Sequence, residues 1–364
     1  MADIMEYKCP ACGGALEFDS KTQKMKCPYC DTEIAVEEFQ SNSQEEKNGG
    51  YADNTSWQAV GGEQWQESET KGMRVYVCES CAGEIVADET TGATSCPFCG
   101  NKVVMKGQFS GELKPDCIIP FQLDKKAAKN AYQKHLDTKG RDFLPKIFKQ
   151  ENHIDEIKGI YVPFWLYDAD VYADIDYKAE SKTTWSTGNT EYTETKTFLL
   201  HRAGSASFAH IPLDCSRKMD DTLMESIEPY DFGGAVPFQS AYLAGYLADR
   251  YDVELAERKD RVQERIQRSV EETFRPSSDE FQSMSINASR VNITQAKYLY
   301  ALYPVWILNT TWQGKKYTFA MNGQTGKMVG DLPFDKGAFW KFVIKRGAVI
   351  GAVLYALMWA LMLI

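Results

Sequence analysis

Histidine is scarce in this chain. Its 364 residues hold four, His135, His153, His201 and His210, scattered and in no ligand spacing. No phosphate-cradling G-x-x-x-x-G-K-[ST] loop, G-x-S-x-G elbow or H-E-x-x-H helix occurs, so the sequence offers no positive sign of an enzyme. Basic charge is also short. The net charge is −10, and residues 1–115 carry 19 acidic against 10 basic side chains, leaving the rest close to neutral. A nucleic-acid binder normally displays a basic footprint. Here only Lys21, Lys24 and Lys26 make a small basic group, so nucleic acid is not the expected partner. A secretory leader is missing from "MADIMEYKCP", which has neither a cationic start nor an apolar run. The ten cysteines are therefore expected in a reducing compartment, where paired Cys motifs mean metal or redox chemistry more often than disulfides.

Eight of those cysteines are paired. "CPAC" (Cys9, Cys12) and "CPYC" (Cys27, Cys30) are separated by 14 residues, and so are "CESC" (Cys78, Cys81) and "CPFC" (Cys96, Cys99). All four positions recur at an offset of 69, and with them Tyr7 and Tyr76, Gly14 and Gly83, Asp19 and Asp88, Thr22 and Thr91, Pro28 and Pro97. This is a duplicated unit. Two residues between cysteines let a tight knuckle aim both sulfurs at one ion, and two knuckles complete a tetrahedron. The intervening residues suffice for a short hairpin, with Asp19-Ser20 and Thr91-Gly92 as turn candidates. A redox dithiol has no use for a second pair at fixed distance, and "CESC" breaks the redox motif while keeping the ligand spacing. The expectation is two structural Zn2+ sites, held by Cys9, Cys12, Cys27 and Cys30 and by Cys78, Cys81, Cys96 and Cys99. Four ligands each leave no open position for substrate. Metal binding supplies much of the folding energy of units this small.

Between the two units, residues 40–72 are mostly polar with Gly pairs and read as a linker. Trp57 and Trp65 are unusual in a free tether and are expected to dock on the protein itself. At the other end, "GAVIGAVLYALMWALMLI" runs 18 residues without a charge, about 27 Å of helix. Phe339, Trp340 and Phe342 precede it, with Lys336, Lys341, Lys345 and Arg346 among them. Aromatic and cationic residues at the entry suit a membrane interface with that side in the cytoplasm. A single-pass helix, preceded by a juxtamembrane segment within 339–364, is expected.

Residues 115–333 also look duplicated. "IIPFQLD" (118–124) recurs as "AVPFQSA" (235–241), and "YVPFWLYDADVYA" (161–173) loosely as "LYPVWILNTTWQG" (302–314). Each copy contains a helical stretch, "KKAAKNAYQKHLD" in the first. In the second, Leu255, Val262, Ile266, Val270 and Phe274 recur at helical steps with one gap. Each ends in long β segments, which implies an α+β body of two related halves, antiparallel sheets with helices on one side. In "DADVYADIDY" (168–177), Ala169, Val171, Ala173, Ile175 and Tyr177 share one face, and Asp168, Asp170, Asp174 and Asp176 the other. Four carboxylates could bind a cation, but the spacing lacks the Gly and the bidentate Glu of a calcium loop, and the solvated face of a half-buried strand is the favoured reading. Turns are expected at Gly188-Asn189 and Asn322-Gly323. Cys117 and Cys215 sit in apolar contexts as buried small residues.

The knuckle pattern resembles the zinc ribbon of transcription initiation factor B proteins and PriA-type primosomal helicases, but no helicase motor motif accompanies it. The whole plan resembles a family of bacterial membrane-anchored double zinc-ribbon proteins. Ribbons span 1–39 and 73–106; "PFQ", "VPFW" and "NGQTGK" mark the body, and an apolar helix closes the chain. For some members the resemblance implies association with PspA-like and flotillin-like membrane-stress proteins. The resulting expectation is a non-enzymatic adaptor that binds proteins at the cytoplasmic face of the membrane. A nucleic-acid-binding ribbon protein and an enzyme with an unrecognised site in the body are the alternatives.

Overall fold

The computed structural model describes residues 9, 14, 16–36, 58–59, 61, 64–65, 70, 73–88, 95–101, 103–108, 113–138, 140–277 and 281–362, apart from a few side chains. In chain order the strands are β1 (Glu17–Asp19), β2 (Lys24–Lys26), β3 (Glu33–Ile34), β4 (Gln58–Ala59), β5 (Met73–Cys78), β6 (Glu84–Asp88), β7 (Val103–Gln108), β8 (Cys117–Ile118), β9 (Lys158–Thr187), β10 (Thr190–Asp214), β11 (Val236–Pro237), β12 (Leu247–Asp249), β13 (Ser283–Trp312), β14 (Lys315–Asn322) and β15 (Met328–Gly330). The helices are α1 (Lys125–Thr138), α2 (Glu151–Ile154), α3 (Asp221–Ser226), α4 (Leu255–Thr273) and α5 (Lys336–Met362). The first three strands form a small sheet of their own, and the other twelve join in one mixed sheet. The class is α+β.

Three long strands organise the molecule. Antiparallel β10, β9 and β13 lie side by side, and 30 residues of β9 make about 100 Å of strand. The odd positions from Ala169 to Ala179 are buried, as their alternation requires. Val262, Ile266 and Val270 of α4 are fully buried in the same cluster. The expected turn at Gly188 is present, with φ 62°, a conformation that favours glycine.

The segments read as repeats in the sequence are neighbours in the sheet. The two PFQ segments meet as β8 and β11, Ile118 opposite Val236. The two aromatic segments meet as β9 and β13, with Pro163 opposite Leu302 and Tyr161 opposite Pro304. Each half places its helix, α1 or α4, on the same core cluster. The opposite face is covered at its base by Met224 of α3 and by Ile85, Ala87 and Phe98 of the second cysteine unit.

Three expectations need correction. The sheet is mixed, because β12 runs parallel to β9 and both β8 and β4 run parallel to β13. Helices are not confined to one side, since α3 covers the face opposite α1 and α4. The expected linker contributes β4, while Trp65 docks on the protein itself as expected, edge-on against Phe238 at 5.4 Å. These strands of two or three residues are set by tertiary contacts and carry no periodic signal of their own. Trp57 and the Thr91-Gly92 turn lie outside the described residues.

The "NGQTGK" hairpin is a clasp. Asn322 is fully buried. Its side-chain oxygen accepts the amides of Gln324 and Thr325, both at 2.9 Å. Its nitrogen donates to the carbonyls of Ile227 and Pro229 at 3.0 Å. Gln324 then bonds both the amide and the carbonyl of Asp231. The motif ties the β14–β15 turn to the segment after α3.

The C-terminal helix α5 starts on the body. Asp335 accepts the Gly337 and Ala338 amides at its N-terminus, and Phe143 packs against Phe339 and Phe342. Beyond that foothold Val349, Ile350, Val353, Leu354, Tyr355 and Trp359 are all exposed. Among the described residues, no helix is long and apolar enough to cross a membrane. The expected spanning run falls partly outside them, on the side chains at 356, 357 and 360–362 and on residues 363–364.

Candidate metal centres

Tight turns position the described cysteines of both units. In the second unit the Cys78 amide donates to Gly83 O at 3.0 Å, and the Cys96 amide to Asn101 O at 2.6 Å. In the first, Cys9 donates to Gly14 O at 2.7 Å and Cys27 to Thr32 O at 2.9 Å. The residue after each closing knuckle turns left-handed, Asp31 at φ 57° and Gly100 at φ 79°. The 69-residue offset of the sequence is thus an offset of conformation.

The sulfurs of Cys78, Cys81, Cys96 and Cys99 lie together, all within 4.8 Å of one another. Cys78 and Cys99 are 3.4 Å apart, and Cys81 and Cys96 are 3.6 Å apart. Four thiolates at 2.3 Å from one ion stand about 3.8 Å from each other, so the set fits a tetrahedral cation with little adjustment. Although burial works the other way, hydrogen bonds from the Asn101 amide and the neighbouring thiols hold the Cys99 thiol down to about 7. Such a thiol is readily ionised for ligation. In the first unit Cys9, Cys27 and Cys30 form the corresponding cluster, with Cys9 and Cys30 again 3.4 Å apart. Cys12 lies outside the described residues.

The two units sit very differently. Through β6 the second joins the main sheet, Val86 opposite Ala248 and Ile85 opposite Asp249 of β12. Body side chains also grip its loops. Lys218 donates to Cys81 O at 2.6 Å, Lys158 to Ser95 O at 2.7 Å, Lys316 to Phe98 O and Asn309 to Pro97 O. Three ammonium groups therefore stand around a cluster whose metal complex with four thiolates would carry net negative charge. None of these four side chains is marked by the sequence, because they come from β9, β13, β14 and the turn before α3. The first unit touches the body through Phe18 against Tyr242 at 5.1 Å, the Phe18 amide to Ala244 O, Gln23 to Phe121 O and Lys21 to Asp124. Its closing knuckle faces outward, with Cys30 exposed and Tyr29 76% exposed.

Elsewhere, candidate chemistry is absorbed by structure. Asp168 accepts the His210 amide and Asp170 the Ser207 hydroxyl. Asp174, Asp176 and His201 lie within ligand distance of one another but stand open to solvent, with His201 bonded to Asp176 at 2.9 Å. His135 bonds Gly330 O, and His153 bonds Thr310. Burial pushes the Cys117 thiol up to about 12 and the Cys215 thiol well above its ordinary value, which suits neither to nucleophilic work.

Comparison with known proteins turns on full-length alignment. A Bacillus subtilis (strain 168) protein described as "Uncharacterized protein YdjG" is 30% identical over 357 residues, spanning 98% of each chain. The chain belongs to the YdjG family. No protein-family model matches it, and no solved structure does. The shared length takes in both cysteine units, the body and the C-terminal helix together, so the relative aligns with the whole chain rather than with one cysteine unit alone.

Proposed function

We propose that this chain is a membrane-anchored zinc-ribbon adaptor. Two structural Zn2+ ions shape its cysteine units, α5 and the residues after it hold it in the bilayer, and proteins bind it at the cytoplasmic face. The observation that carries the reading is the unequal placement of two matching cysteine units. One is built into the sheet, and the other presents an exposed aromatic knuckle. A rigid, outward knuckle with Tyr29 at its tip suits contact with a protein, where aromatic residues are favoured anchors. The acidic surplus of the N-terminal third favours basic or neutral partners. The side chains of α5 that are exposed among the described residues, Val349, Ile350, Val353, Leu354, Tyr355 and Trp359, favour lipid around them. Partners of the PspA-like or flotillin-like kind, in a membrane-stress setting, follow from the family resemblance. Cys9, Cys12, Cys27 and Cys30 would hold one ion, and Cys78, Cys81, Cys96 and Cys99 the other. Their chemistry is structural, since four ligands close each coordination sphere.

The test is crosslinked purification from detergent-solubilised membranes. The intact chain is compared with Tyr29→Ala, which leaves the ligands in place, and with a chain ending at Asp335. Recovery of a PspA-like or flotillin-like protein by the intact chain, its loss from Tyr29→Ala, and release of the shortened chain into the soluble fraction are expected. A shortened chain that still sediments with membranes would remove the anchor. Equal recovery with Tyr29→Ala would remove the knuckle from the contact.

A further inference from the structure

One side of the long strands is open. Among the described residues β10 pairs with β9 alone, and from Thr190 to Phe208 that pairing runs without a break. The turn at Gly188-Asn189 joins the two strands through two residues, so Thr187 and Thr190 exchange their backbone bonds and every second residue of β10 does likewise. The odd positions, Glu191 to Ser207, therefore turn their amides and carbonyls away from β9. No backbone group of the described residues meets them there.

Neighbouring edges are closed. Where β13 stops short of the tip, the Gln282 side chain takes its place on β9: it accepts the Lys182 amide and donates to the Lys182 carbonyl, both at 2.6 Å. At the base of β10 the register slips between Phe208 and Ile211. There His210 turns left-handed at φ 55°, and Arg265 donates to Pro212 O at 2.7 Å. Bulges and side-chain covers of this kind keep an edge from pairing. The stretch from Thr190 to Phe208 has neither. It holds no proline and a single lysine, Lys196, and it exposes Phe198 and, by 66%, Leu199.

We propose that this edge binds the same edge of a second copy, β10 against β10, in an antiparallel seam about a two-fold axis at Phe198. Leu200, Ala206 and Phe208 pack toward the core cluster that α4 also joins. A sheet continued through the axis keeps that side of both copies on one face, so even positions oppose even ones. Centred on Phe198, the seam sets Glu194 of each copy opposite Arg202 of the other, and Phe198 opposite its own counterpart. Both charged residues are exposed, and Glu194 otherwise meets only Lys196 of its own strand at 3.4 Å, a surface pair of little strength. The odd positions with unmet backbone groups become the bonded pairs, Thr195 with His201 and Thr197 with Leu199. Pairing runs from Thr190 to Ala206, about 55 Å of strand. Centring the seam on Leu199 would set Lys196 against Arg202, and centring it on Thr197 would leave Glu194 opposite Leu200. Opposite charges across a pair stabilise and like charges destabilise, so charge selects the register at Phe198. The seam does not rest on the adaptor reading, and its failure would leave that reading untouched.

The test uses the full chain in density-matched detergent, with protein mass read by sedimentation equilibrium and amide exchange read residue by residue. Two copies per particle are expected, with the Thr195, Thr197, Leu199 and His201 amides protected. Arg202→Glu sets like charges across the seam twice and should weaken the dimer about tenfold or more. Adding Glu194→Arg to that variant returns opposite charges to the seam and should restore the dimer. A monomer whose Thr195 to His201 amides exchange freely overturns the proposal, including the case in which another protein's strand takes the edge. A dimer indifferent to Arg202→Glu, or one weakened by it that Glu194→Arg fails to restore, overturns it as well and moves the contact between copies to another surface.

Discussion

Loss of one metal centre should unravel much more of this molecule than loss of the other. Consider Cys96→Ser and Cys27→Ser, matched positions of the two repeats. If each centre holds zinc, each substitution removes one ligand from a unit that cannot fold without it. When the second unit opens it takes with it Ile85, Val86 and Phe98, all buried against the body. At about 1.5–3 kcal/mol for each large apolar side chain, about 5–9 kcal/mol of burial is lost. The β6–β12 ladder and the lysine clasps go as well. When the first unit opens, the body loses Phe18 from Tyr242 and a few hydrogen bonds, about 2–4 kcal/mol. At about 2–4 °C for each kcal/mol in a body of this size, Cys96→Ser should lower the main thermal transition by at least about 10 °C. Cys27→Ser should lower it by roughly half that or less. The assay is tryptophan emission and near-UV circular dichroism, because Trp165 and Trp306 are buried in the body and report its core rather than the ribbons. Metal analysis of the same samples should fall from two ions to one in both variants. Equal shifts for the two variants, with one ion lost from each, would refute the unequal wiring argued here.

Further outcomes follow from single residues. Asn322→Ala removes four hydrogen bonds at a fully buried site and should cost about 3–5 kcal/mol, read by denaturant unfolding. Ile266→Ala empties a fully buried position under the long strands and should cost about 2–5 kcal/mol by the same measurement, with secondary structure retained. Asp249 gives a pH signature. Its folded-state value is raised from 3.8 to about 8. The stability its protonated form supplies is therefore complete below the ordinary carboxyl range and is lost as pH climbs toward 8. Arg250 and Asp252 beside it, and Glu84, Lys218 and Glu254, are the other charged groups lining the cavity beside it. Unfolding free energies of Asp249→Asn and wild type should diverge between those pH values, in favour of the variant, by up to about 1.4 kcal/mol per pH unit. Parallel pH profiles would show that Asp249 ionises freely in the folded chain.

Much of the architecture is legible in the sequence, because it rests on local rules. The cysteine spacing dictates knuckles, and the 69-residue offset dictates that there are two. Strict alternation in "DADVYADIDY" predicts a strand with one buried face, and Ala169 to Tyr177 are buried on that face. The paired PFQ and aromatic motifs announce two related halves. Their meeting as antiparallel neighbours, β8 with β11 and β9 with β13, is a tertiary fact that repetition alone does not specify. What stayed hidden is short or distant. A two-residue strand such as β4 has no periodicity, and the lysines that clasp the second unit come from positions 63 to 218 residues away from their partners in the chain.

The same contrast explains why the duplicated units could part in role. A free cysteine unit and one built into a sheet can carry matching knuckles, because knuckle geometry is fixed by the cysteines and a few turn residues. Integration is decided outside that pattern, by whether the hairpin offers residues that continue another sheet. In the second unit the hairpin strand after the knuckle reads "EIVAD", apolar enough for Ile85, Val86 and Ala87 all to be buried. In the first, the matching stretch "ALEFD" places Glu17 outward and buries Phe18, and β1 pairs with β2 alone. Changing the second hairpin toward the first, as in Val86→Glu, should therefore detach β6 from β12 while leaving the geometry of the four cysteines intact. The chain would keep its metal and lose stability in the body, which is the reverse of what a ligand substitution does to the exposed first unit. Metal content and the body's thermal transition, measured together on that variant, separate the two contributions. Loss of metal along with stability would mean that the sheet, and not the knuckle, holds the second centre together.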